Sequence, residues 1–252
     1  MTGTLVNAGA IVLGAGIGTL LGNRLNEGVR TTVTHALGIF VIVLGVSDGL
    51  GTFGDELAGA LGSASVLVIL GALLLGGVMG ELLRLEDRLH QLGEWLRDRV
   101  VGGGEHDDGA AEPDHTTDPR RLFVEGFVVT TLIVCVGPLA ILGSLQDGLT
   151  DGFELLAVKA MLDGFAALAF AAVLGIGVAF AALPLLILQG TITLAATALQ
   201  AVLTPTMLAA LSATGGFLVI GVGLRLSDLL AVRVANLLPA LVLAPLAVAL
   251  WP

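Results

Sequence analysis

The sequence predicts an all-α, polytopic transmembrane helical bundle of about eight spans, and three observations carry that prediction. Charged residues make up 13% of the chain and apolar ones 56%, with a mean hydropathy of +0.98; a soluble domain carries about 25% charged residues. Apolar runs of about 20 residues recur along the chain, long enough to cross a hydrocarbon core. The 36 glycines suit helices packed in lipid, where small residues let backbones approach. The one cysteine, Cys135, lies inside an apolar run, so neither an intrachain disulfide nor a cysteine-based metal motif is expected.

The first span covers Gly3–Gly22 and holds Gly14, Gly16 and Gly18, read as a surface for close helix contact. It has no basic stretch before it of the kind that marks a cleaved signal peptide. The second covers Thr34–Leu50 and is bounded by His35 and Asp48; the loop Gly51–Ser63 follows, then the third span, Ala64–Leu83. Leu85, Leu89, Leu92 and Leu96 then recur at spacings of four, three and four, an amphipathic pattern. Glu81–Val100 therefore reads as one helix emerging from the bilayer, with Trp95 suited to its interface, lying on the membrane or against a partner copy. The stretch Val101–Pro119, VGGGEHDDGAAEPDHTTDP, has the composition of a solvated linker, and its His106 and His115 are spaced too irregularly to read as a metal site. The remaining spans are Leu122–Leu145, Leu155–Ala182, Leu185–Leu203, Met207–Leu224 and Ala231–Leu250. Gly137–Pro138 and Pro184 are expected to break helices, because proline removes a backbone hydrogen bond.

This divides the chain into a membrane segment over residues 1–100, an acidic linker over 101–121 and a second membrane segment over 122–252. Eight spans with the N-terminus outside put ten of the eleven basic residues inside, from Arg24 to Arg233, and leave only Lys159 outside. Both termini are then outside a cytoplasmic membrane. HALGIFVIVLG in the second span matches SATGGFLVIGV in the seventh at Ala36/Ala213, Gly38/Gly215 and Phe40/Phe217. That match suggests an inverted repeat in which Asn7 corresponds to Gln189.

The candidate site lies in the fifth span. Lys159, the only lysine, and Asp163 are four apart on one helix face. An ionisable residue at the centre of a span costs about 3 kcal/mol on insertion scales and marks a functional site by default. Two readings stand: the pair neutralises itself for insertion, or Asp163 binds a cation or proton with Lys159 tuning it. Asp147 and Asp151 would form a cation-attracting mouth, and Asn7, Gln189 and Asn236 could line a path. No phosphate-binding loop, nucleic-acid motif, GxSxG or HExxH is present, so neither an enzyme, a cofactor nor a nucleic-acid partner is expected.

GTLVNAGAIVLGAGIGTLLGNRL, CVGPLAILGSLQDGLTDGFELLAVKAMLDGFAALAFAAVLGIGV, ATGGFLVIGVGLRL and VANLLPALVLAPL together resemble the domain-of-unknown-function family 554 over nearly the whole chain except the linker. The resemblance implies a prokaryotic cytoplasmic-membrane protein, a class sometimes labelled as transporters, and supplies neither substrate nor catalytic residues. The expected function is transport or conduction of a small solute or ion by an oligomer in the lipid bilayer; the alternative is a scaffold or sensor that oligomerises or binds a partner.

Overall fold

The computed structural model describes residues 1–22, 24, 26–101, 119–135, 138–149 and 152–251. The linker histidines His106 and His115, together with Gly137 and Asp151, lie outside them. The described residues form helices α1 (Thr2–Gly22), α2 (Glu27–Gly49), α3 (Asp55–Leu61), α4 (Ala64–Leu83), α5 (Leu85–Val101) and α6 (Pro119–Cys135). They continue with α7 (Pro138–Leu149), α8 (Glu154–Leu174), α9 (Ala182–Leu194), α10 (Ala196–Gln200), α11 (Pro205–Leu226) and α12 (Ala240–Ala249), with tight 3-10 turns at Leu50–Phe53, Ile176–Ala181 and Val234–Leu237.

Among the described residues, six helical stretches are long and apolar enough to cross a membrane: Thr2–Gly22, Glu27–Leu61, Ala64–Leu83, Glu154–Leu174, Ile176–Leu194 and Pro205–Leu226. A seventh arises if Pro119–Cys135 and Leu139–Leu149, inclined at 64°, form one broken span. The expected eighth, Val234–Ala249, is shorter.

Glycines set how these segments pair. Gly14, Gly18 and Gly22 follow one another at every fourth position of α1 and rest on the backbone carbonyls of Gly164, Leu168 and Ala172 in α8. A Cβ at any of the three would collide with the carbonyl, so α1 and α8 run parallel in step at backbone contact. Two further sets of glycine contacts are antiparallel. Gly38 and Gly45 of α2 meet Gly223 and Gly216 of α11, while Gly76 and Gly80 of α4 meet Ala240 and Asn236. α1 also faces Ile176–Leu194 antiparallel, through Thr4 with Thr193 and Asn7 with Gln189. Through these contacts α1 and Ile176–Leu194, α2 and α11, and α4 and the start of α12 form three oppositely directed pairs. The oppositely directed partners needed for an inverted repeat are thus in contact.

Several boundaries differ from those expected, among them the sixth span, which runs Ile176–Leu194 rather than Leu185–Leu203, and the loop Gly51–Ser63, which holds α3. α2 starts at Glu27 rather than Thr34, because Asn26 accepts a hydrogen bond from the Val29 N–H at 2.9 Å and caps the helix. The anticipated continuous Glu81–Val100 helix is interrupted at Arg84, which takes left-handed angles (φ 51°, ψ 48°) and re-aims α5. α5 then packs Gly93 against Val124 and Phe127 of α6. The fifth span ends at Leu174, not Ala182, because Gly175 adopts φ 82°, a conformation that glycine reaches without a Cβ penalty. Pro184 breaks nothing: it sits in the first turn of α9, where its missing N–H has no intrahelical partner to lose.

Candidate functional site

The functional candidates gather into two polar assemblies at opposite ends of the bundle. The first is built on α8. Lys159 donates to Asp163 Oδ2 at 2.5 Å, and the two residues are only 6% and 8% exposed. The same carboxylate oxygen accepts from Asn7 Nδ2 of α1 at 3.0 Å, and that nitrogen also lies 3.5 Å from Gln189 Oε1 of α9. An ionised carboxylate only accepts, so Asn7 must turn its nitrogen toward Asp163, and Gln189 its oxygen toward Asn7. Those choices leave Asn7 Oδ1 and Gln189 Nε2 buried and unpaired. The cluster thus holds one unpaired acceptor and one unpaired donor, each worth about 1–3 kcal/mol of desolvation.

From this cluster a ladder of polar groups rises toward the start of α1. Thr193, one turn along α9 from Gln189, places its hydroxyl 3.4 Å from that of Thr4. Thr4 Oγ1 donates to Asp147 Oδ2 at 3.2 Å. Asp147 also accepts from the Gly3 and Thr4 N–H groups, each at 3.2 Å, and from the Met1 ammonium at 3.0 Å. The sequence reading puts Asp147 at a cation-attracting mouth. It belongs instead to α7, with its side chain 5% exposed, and it caps the first turn of α1 from a neighbouring helix. Asp147, Asn7, Lys159, Asp163 and Gln189 therefore converge on one column spanning α1, α7, α8 and α9.

Asn236 is in neither the column nor its neighbourhood. It belongs to the second assembly, where the arginines collect, accepting from the Glu86 N–H at 2.8 Å and donating to Glu81 Oε2 at 2.6 Å. Glu86 accepts from the Ala235 N–H at 2.8 Å and pairs with Arg225 at 2.5 Å. Arg225 also lies 3.5 Å from Glu125 and 3.2 Å from His90. Burial would push the Glu86 carboxyl up, but His90, the Ala235 N–H and Arg225 together outweigh it and hold the group below the usual carboxylate range. Cavities of about 490, 290 and 540 Å3 open here, and Arg121, Glu125 and Arg225 line all three. Neither Lys159 nor Asp163 lines any of these. Of this network the sequence singles out Asn236 alone, as a residue that could line a path; a further signal is Glu125, an acid close to the start of an apolar run.

Comparison with known proteins decides the family: residues 2–249 match the family described as "Protein of unknown function (DUF554)". The chain belongs to that family. DUF554 relatives include "Uncharacterized protein YqgA" of Escherichia coli (strain K12), 32% identical over 99% of this chain and 97% of its own length. "Uncharacterized membrane protein YdfK" of Bacillus subtilis (strain 168) is 25% identical over 98% of this chain and 96% of its own. No solved structure matches. With six to seven membrane-length apolar helices among its described residues, this DUF554 chain is a membrane protein, in agreement with the description of YdfK.

Proposed function

We propose that the protein transports a small solute or ion across the cytoplasmic membrane, with the Lys159–Asp163–Asn7–Gln189 cluster on the path. The observation that carries this reading is the cluster's composition. A buried ion pair is joined by amides from two further helices, and it retains an unpaired acceptor and an unpaired donor. A pair serving insertion alone needs only its own two charges. The ladder through Thr193, Thr4 and Asp147 supplies a polar route from the end where α1 starts. The oppositely directed helix pairs suit alternating access between two halves. The positive-inside rule places the arginine end in the cytoplasm and both termini outside. In this reading Asp163 carries the cation or proton and Lys159 sets the carboxylate's charge state.

One observation favours a second reading, a non-transporting membrane scaffold that oligomerises. Asp163 is closed against Lys159, and the three cavities lie at the other end of the bundle. Charge movement in proteoliposomes separates the two. Wild type and Asp163→Asn are challenged with proton, sodium, potassium and divalent gradients, then with pools of small metabolites. Transport predicts a wild-type current that Asp163→Asn abolishes while the protein stays folded. A current unchanged in Asp163→Asn removes that carboxylate from the path, and silence from both proteins favours the scaffold.

A further inference from the structure

The most informative surface outside these two assemblies is the outward side of α5. At about 100° per residue, Arg88, Leu92, Trp95 and Arg99 fall within about 60° of one another. All four are exposed, Trp95 by 58% and Leu92 by 43%. Asp87, Glu94 and Asp98 lie on a separate edge, about 110° away. The third side, Leu89, Gly93 and Leu96, turns toward the protein core. α5 is thus three-sided, with one face against the bundle, one acidic, and one in which two arginines bracket a leucine and a tryptophan. Neither Arg88 nor Arg99 forms an ion pair among the described residues. The helix begins one residue after α4, a membrane-crossing segment, so its first turn lies where that segment leaves the apolar region.

We propose that this face lies on the lipid leaflet at the arginine end, with Leu92 and Trp95 seated at the acyl boundary. Arg88 and Arg99 bind the headgroups of anionic phospholipids there. Charge separation singles out this occupant. A neutral leaflet would need only the leucine and tryptophan, whereas the arginines stand beside them and every exposed acid of the helix is turned off that face. The acidic edge faces water and keeps the helix from sinking further. This inference does not depend on transport.

The test uses the full chain carrying Trp251→Phe, which leaves Trp95 as the one tryptophan, reconstituted in phosphatidylcholine vesicles with or without phosphatidylglycerol. Brominated acyl chains, placed on one lipid or the other, report contact by quenching its fluorescence. The expected result is quenching by both, with brominated phosphatidylglycerol preferred by roughly fivefold per arginine. Arg88→Gln/Arg99→Gln should lose that preference while Trp95 stays quenched. Equal quenching by the two lipids in the parent protein would overturn the anionic selectivity. Quenching by aqueous acrylamide but not by bromolipid would place the face in water. Protection from both quenchers, with disulfide-linked dimers of Trp95→Cys, would assign it to a second copy. Should the double arginine variant fail to fold, the parent's bromolipid comparison still decides.

Discussion

The two ends of the bundle use the same side-chain chemistry in opposite ways. Around Asp163 the polar groups are threaded between helices and nearly inaccessible, whereas at the arginine end a buried centre, Glu86 and Asn236, is flanked by groups that line open cavities or reach water, with Arg233 and Glu81 about 60% exposed at side-chain level. The difference teaches where a charge is expensive. A screened, half-solvated pair such as Arg233–Glu81 contributes little, because water already serves both partners. Lys159 and Asp163 have no such reserve, so each depends on the other.

The largest expected effect breaks that dependence. Lys159→Met leaves a buried carboxylate without its counter-charge and should cost about 3–5 kcal/mol, whereas Lys159→Met/Asp163→Leu should recover most of the loss. Thermal unfolding in detergent of the two variants checks this, and equal losses would contradict it. Next comes the glycine seam that holds α8 beside α1. Gly18→Leu should destabilise by about 1–3 kcal/mol because the Leu168 carbonyl occupies the space, while Gly16→Leu should change little, since nothing lies within 4 Å of its added Cβ. The same unfolding assay distinguishes them.

At the arginine end the expected signature is a pH response. The folded-state pKa of Glu86 is depressed, so the stability it contributes is present above the unfolded carboxyl's pKa of about 4.3 and disappears as pH falls through the lower folded value. Unfolding followed from neutral to acidic pH should show a shallower loss in Glu86→Gln than in wild type; parallel curves would remove Glu86 as a contributor. The smallest effect belongs to the cap: Asp147→Ala should cost about 1 kcal/mol, with faster hydrogen exchange confined to the first turn of α1.

Much of this comparison was legible in the sequence, for identifiable reasons. Hydropathy reveals long apolar helices, and a lone lysine four residues before an aspartate is conspicuous in an apolar run. The glycines of α1 were visible too, but the working spacing is Gly14, Gly18 and Gly22, and only the α8 carbonyls reveal that Gly16 points elsewhere. Tertiary partnerships stayed hidden. Nothing local to Asp147 says that it caps a distant helix, and nothing near Asn236 says that it joins Glu81 to Glu86. Breaks were misplaced where backbone geometry outweighed residue type. Pro184 is harmless in a first turn, while Gly175 and the left-handed Arg84 do the breaking.

The most direct test of the central claim is gradient-driven flux through Lys159→Met/Asp163→Leu in proteoliposomes, once its unfolding confirms wild-type stability. Replacing both charges removes the structural burden and the path together. The account predicts a stable protein that moves no solute under conditions where wild type does. Wild-type flux through that variant would contradict it and leave the buried pair a device for insertion alone.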